Sequence, residues 1–143
     1  MAVDEPHYRL QVAEEFLNEA EQDAASGRWA TCVRHAQLTT ELSAKGAIEC
    51  WEPAPRTHDL TQVIDDILAT RALEPDVRNA MEELKVCSLR LDYDVHIKAS
   101  YGDEDAHLTP SQLFHEADAT DALDCARKAV SLARFVITEM SKP

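Results

Sequence analysis

The sequence predicts an all-α fold, an antiparallel up-and-down bundle of four long helices plus one short helix. Three observations predict it. Apolar residues recur in steps of three and four along four long stretches, the prolines fall between those stretches or in their first turns, and no useful length alternates with the period of a strand. A chain of 143 residues is also in the range of one domain able to bury a core without staples, so a single domain over residues 1–143 is expected.

The first helix is expected over residues 6–26, where Val12, Ala13, Phe16, Leu17, Ala20 and Ala24 share one side. Gly27 stops it, because glycine accepts the left-handed conformation that ends many helices. The second runs from Trp29 to about Cys50. It carries a small-residue stripe of Val33, Ala36, Thr40, Ala44 and Ala47, with Leu38 and Leu42 elsewhere on its circumference. Apolarity on two sides marks a central helix. Pro53 and Pro55 interrupt, and Thr57 is expected to cap a short third helix whose face is Leu60, Val63, Ile64, Ile67 and Leu68, ending near Arg71. Pro75 suits the first turn of a fourth helix, in which Val77, Ala80, Met81, Leu84, Cys87 and Leu91 repeat at helical spacing. Residues 92–109 are polar, carry the acidic run Asp103-Glu104-Asp105, and read as a long loop of the kind that often carries function. The last helix is expected over residues 111–140, its stripe of Ala119, Leu123, Ala126, Val130, Ala133, Ile137 and Met140 widened by Leu132 and Val136. That width suits both a core and a partner.

Charge and composition exclude several functions. With 14 Lys and Arg against 27 Asp and Glu, the net charge of −13 repels phosphate backbones and anionic membranes, so non-specific DNA binding is not expected. Such acidity also suits a salt-rich cytoplasm. Cys32, Cys50, Cys87 and Cys125 lack paired C-x-x-C spacing and are expected to be reduced, mostly buried thiols. The first ten residues contain no apolar leader core and no run approaches the length of a membrane span, so a cytoplasmic protein without membrane association is expected. The three glycines form no phosphate-cradling loop, and no Gly-x-Ser-x-Gly elbow is present.

Ala20, Asp23-Ala24, Gly27 and Trp29, then Ala36-Gln37, Glu41 and Lys45, then Thr57-His58-Asp59-Leu60, and finally Tyr101-Gly102-Asp103 with Ala117-Asp118 occur in an order that resembles the HEPN domain family across nearly the whole chain. The resemblance implies an all-helical domain that forms homodimers and is associated with nucleotides. It also implies a minimal nucleotidyltransferase partner in a toxin–antitoxin-like system and, in several branches, RNA cleavage. It implies no cofactor. The RNA-cleaving branches carry an Arg, four to six residues, then a His, and Arg90 and His96 match with five residues between. The chemistry is coherent. An imidazole near neutrality moves a proton at a ribose 2′-hydroxyl while the guanidinium fork holds the phosphate, leaving a 2′,3′-cyclic phosphate end. A homodimer would gather both pairs in one cleft.

Other readings stand beside these. Arg28 and His35 satisfy the same spacing and read as packing or surface residues. A related branch places a modifiable Tyr two residues after the motif His, where this chain has Lys98; Ser100, not Arg, precedes Tyr101. His58, Asp59 and Tyr101 are candidate nucleotide-binding residues, although Thr57 and Asp59 also suit a helix start. Glu41 and Lys45 read as a surface ion pair. No metal site is expected, because Cys32 and His35 have no second pair of ligands and Asp103 and Asp105 lack the companions of a calcium loop. The function classes carried forward are a nucleotide- or RNA-associated binding module, a metal-independent endoribonuclease, and a purely structural dimerisation module.

Overall fold

A computed structural model describes residues 4–143; residues 1–3, the start of the segment read above for a leader, lie outside it. The helices are α1 (Glu5–Ala25), α2 (Trp29–Ile48), α3 (Thr61–Thr70), α4 (Pro75–Arg90), α5 (Tyr93–Tyr101), α6 (Pro110–Leu113) and α7 (Glu116–Met140). Side-chain pairs fix their directions. Arg9 meets Glu49 at 2.8 Å while Arg28 meets Asp23 at 3.0 Å, so α1 and α2 are antiparallel. Arg127 reaches Glu21 and Arg134 reaches Glu14, which sets α7 against α1; Lys128 meets Glu83 at 3.2 Å, which sets it against α4. The four long helices therefore alternate up and down.

The sequence of α2 explains its central position. None of its residues is exposed, and Ala36, Ala44, Gly46 and Ala47 let α1 and α7 approach closely. Thr39 and Thr40 survive full burial by donating back to the carbonyls of His35 and Ala36 at 2.8 and 3.0 Å. At the α1–α2 turn Gly27 has φ +73°, the left-handed value its position requires. Buried Asp23 clasps the turn by accepting from Arg28 Nε at 3.1 Å and His35 Nδ1 at 2.6 Å. Arg28 and His35 thus have a packing role.

Four expectations need correction. The polar stretch 92–109 is no loop throughout: α5 occupies its first half, started by Asp92, whose carboxylate accepts from the Val95 amide, and ended at Gly102. The last helix begins at Glu116 instead of Ser111, because Thr109 and Gln112 close a capping box around the single turn α6 and Phe114 is extended. The short third helix starts at Thr61; its first amide is held by Asp59 at 3.1 Å, and the Thr57 hydroxyl accepts from the Asp59 amide one step earlier. The wide stripe of α7, apart from exposed Met140 at its end, is also spent inside the chain. Val136 is fully buried and Leu132 packs on the core, because α1, α2 and α4 all lie against this helix.

The turn after α5 is tight. Asp103 and Leu108 exchange both backbone hydrogen bonds, at 2.9 and 3.0 Å, and Gly102 sits beneath them at φ +80°. A Cβ at Gly102 would stand 2.1 Å from the Leu108 carbonyl oxygen, which is backbone and has no room to yield. Gly102→Ala is expected to cost about 2–3 kcal/mol in chemical denaturation, since strain in the left-handed region adds to the clash.

Candidate functional site

Arg34, Gln37, Glu41 and Lys45 recur along α2 in steps of three and four and therefore share a face. On an outer helix that face would be solvated; here it is covered. Glu41 is 8% exposed and Gln37 1%. A buried carboxylate is tolerated only when its oxygens are paired. Lys45 Nζ reaches Glu41 Oε2 at 3.5 Å, Gln37 Nε2 donates to Oε1 at 3.4 Å, and His58 Nδ1 donates to Oε1 at 3.1 Å. The Glu41–Lys45 pair is consequently not the surface pair its spacing suggests, because the chain after α2 turns back along the helix and brings His58 over it.

The bond from His58 has a chemical consequence. A carboxylate only accepts, so Nδ1 carries the proton, and in the neutral ring Nε2 is left as the acceptor. The imidazole lies flat on Tyr93, with ring centroids 3.7 Å apart and planes within 2°. Tyr93 in turn stacks on His96 at 5.4 Å and 15°. Three rings from two segments thus form a ladder rooted on Glu41. The far end, His96, has a buried Nδ1 without a hydrogen-bond partner. Burial pushes its pKa below the ordinary imidazole value, helped by the charges of Arg34 and His58 and opposed by Glu41.

The open end of the ladder lines a cleft between the start of α3 and the α4–α5 junction. His58, half exposed, and Tyr93 supply its aromatic wall, Leu89 an apolar edge, and Asp59, Asp92 and Asp94 an acidic rim. Ser88, whose buried hydroxyl has no partner, lines it too. Hydrogen bonds from Thr61 hold the Asp59 carboxyl below the usual carboxylate range, keeping it an acceptor.

Of the residues singled out in the sequence, His58 and Asp59 line this cleft; His96 stacks on Tyr93 behind it and is absent from the cleft wall. Tyr101 does not line it either. It is 69% exposed at the end of α5 and is absent from the cleft wall. Arg90 lines a different cleft, with Phe114, Asp118, Asp121 and Cys125, so the Arg90–His96 pair does not share a cavity within one chain. Sequence reasoning missed Tyr93, Gln37 and the buried role of Glu41. The signal for Tyr93 was available in the Asp92 cap, which makes residues 93–101 a helix. Among the described residues no three His, Cys, Asp or Glu side chains cluster to hold a metal, and no helix is long and apolar enough to cross a membrane.

Comparison with known proteins agrees with this architecture. The sequence model of the HEPN domain matches residues 7–136. The solved structure of TT1696 from Thermus thermophilus is similar with a TM-score of 0.68 at 20% identity, covering 94% of this chain and 99% of that one. ST0689, described as an archaeal HEPN homologue, is similar with a TM-score of 0.60 at 16% identity, covering 97% of this chain and all of its own. At these identities the likeness establishes fold alone. No functionally curated protein matches the chain.

The lowered His96 pKa makes stability depend on pH. Between the folded value and the unfolded value of 6.5 the unfolded chain binds more protons, so this contribution is complete above pH 6.5 and lost as pH falls from there through the folded pKa. The His96 imidazole should titrate by NMR with a midpoint below 6.5, and His96→Gln should flatten the acid side of the stability profile. A midpoint at or above 6.5 contradicts the burial.

Proposed function

The chain belongs to the HEPN domain family, and we propose that within it this protein is a binding module that takes a nucleobase, from a nucleotide or from RNA, in the His58–Tyr93 cleft. The observation that carries the reading is the 3.7 Å parallel stack of His58 on Tyr93, anchored by buried Glu41. A ring held flat and half exposed is a ready surface for a base, whose stacking is worth about 1–3 kcal/mol. Asp59, Asp92 and Asp94 accept hydrogen bonds from amino groups and ribose hydroxyls and repel phosphate. The ligand is therefore read at its base and sugar, with its phosphates directed away from the rim.

Of the two partners that the resemblance implies, a second copy and a nucleotidyltransferase, exposed apolar surface favours the second copy. Val86 and Leu89 on α4 and Tyr93, Ile97 and Tyr101 on α5 are exposed at helical spacing, and Leu89 and Tyr93 meet at the cleft. Seating a second copy there would put the two clefts side by side.

Calorimetry with nucleosides and their phosphates tests the base-binding reading. The expected result is that a nucleoside binds at least as tightly as its triphosphate without added metal, and that His58→Ala weakens binding about tenfold. Binding that requires the triphosphate, or that ignores His58, contradicts it.

A metal-independent endoribonuclease is the second reading, favoured by one observation: the half-buried His96 ring, its pKa lowered by that burial, is in the neutral form a general base needs. Because Arg90 faces another cleft, this activity would need Arg90 of one protomer to meet His96 of its partner. It predicts cleavage of a mixed RNA pool to 2′,3′-cyclic phosphate ends, lost in both Arg90→Ala and His96→Ala. Cleavage unchanged by either substitution removes it.

A further inference from the structure

A second cleft lies apart from the His58–Tyr93 stack, where the end of α4, the start of α5 and the first half of α7 meet α2. Its volume is about 180 Å³. Val33 of α2, Val95 of α5, Phe114 ahead of α7 and Ala122 of α7 give it an apolar wall, and its charged groups are Arg90, Asp118 and Asp121. A cavity of about 150 Å³ holds one benzene molecule, so the wall has room for a single side chain of leucine or phenylalanine size.

The charges on this cleft are left unused by the fold. A guanidinium and two carboxylates line it, yet among the described residues neither Arg90 nor Asp121 forms an ion pair. The nearby cations of α7 are turned elsewhere, Arg127 to Glu21 and Asp124, and Lys128 to Glu83. Asp118 has an ordinary duty: its Oδ2 accepts from the His115 amide at 2.8 Å in the first turn of α7, which leaves Oδ1. Asp121 has none. It lies in the second turn, past the reach of the positive end of the helix dipole, so neither capping nor the dipole accounts for it. Opposite charges that share a cleft without meeting leave space between them for a ligand that carries the complementary pair.

We propose that this cleft binds a free apolar α-amino acid. Arg90 holds the α-carboxylate, for which its planar fork is suited, Asp121 and the Oδ1 of Asp118 hold the ammonium, and the side chain lies against Val33, Val95 and Phe114. Other small ligands leave a feature unused or opposed. A phosphate ester finds Arg90 but is repelled by the two carboxylates, a simple amine leaves Arg90 unpaired, and a sugar sets its hydroxyls against the apolar wall. The base-binding cleft is lined by different residues, so the two sites stand independently.

Titration of the full chain with L-leucine and with L-phenylalanine, followed by calorimetry and methyl NMR, tests the site. The expected result is saturable binding of at least one of them, with shifts at the methyl groups of Val33 and Val95. Arg90→Gln and Asp121→Asn should each weaken that binding roughly tenfold. Both residues are exposed, so neither substitution disturbs the core. For a site that takes leucine, 3-methylbutylamine and 4-methylpentanoic acid, which are leucine without its carboxylate and without its amino group, should each bind at least roughly tenfold more weakly. No saturation by either amino acid at about 10 mM, shifts confined to the His58–Tyr93 cleft, the amine or the acid binding as tightly as leucine, or binding unchanged in either variant overturns the proposal.

Discussion

A carboxylate buried in the middle of the central helix constrains everything around it. Removing Glu41 from water costs several kcal/mol unless its oxygens are paired, and no backbone donor is free within a helix to do so. Lys45 and Gln37 come from the same helix, so their help is local. The third partner, His58, comes from the segment between α2 and α3, and its bond draws that segment back over α2. Once there, His58 has Tyr93 beneath it and His96 beyond, so one polar contact ties α2, the approach to α3 and α5 into a single arrangement. An apolar residue at position 41 would pack without needing this detour.

The helices themselves were legible because their apolar periodicity is long and their boundaries carry glycine or proline. The face read for α4 is the face it buries, through to Leu91. Periodicity failed where an element was short. With Ala99 alone fully buried, α5 has too little apolar patterning to stand out, although its Asp92 cap and terminal Gly102 were both in view. The start of α7 was misjudged for a related reason: the capping residues of α6 and α7 lie within one short stretch, and an apolar stripe does not register the extended residue Phe114 between them.

The site was less legible because its residues have ordinary local explanations. Glu41 and Lys45 satisfy a surface ion-pair rule, and only the returning chain reveals that they are covered. Asp23 is similar. It reads as a polar residue near a helix end, but is the buried clasp that uses up Arg28 and His35. Spacing proposed Arg90 with His96 and equally Arg28 with His35; the fold directs the second pair to one carboxylate and parts the first, with Arg90 in a cleft beside Cys125 and His96 stacked on Tyr93. Sequence spacing measures distance along a chain, whereas a helix end such as that of α4 turns neighbouring side chains in different directions. The strong net negative charge is likewise expressed locally, as the rim of Asp59, Asp92 and Asp94 around the cleft.

Histidine-resolved NMR tests the central claim most directly, by comparing the ring protons of His58 in the wild-type protein and in Glu41→Ala. The account predicts a marked upfield ring-current shift of His58 in the wild type from its stack on Tyr93, and loss of that shift in Glu41→Ala while the resonances of His35, on the distant Asp23 clasp, stay unchanged. A His58 shift that persists without Glu41 would contradict it, since the stack would then form without the carboxylate said to build it.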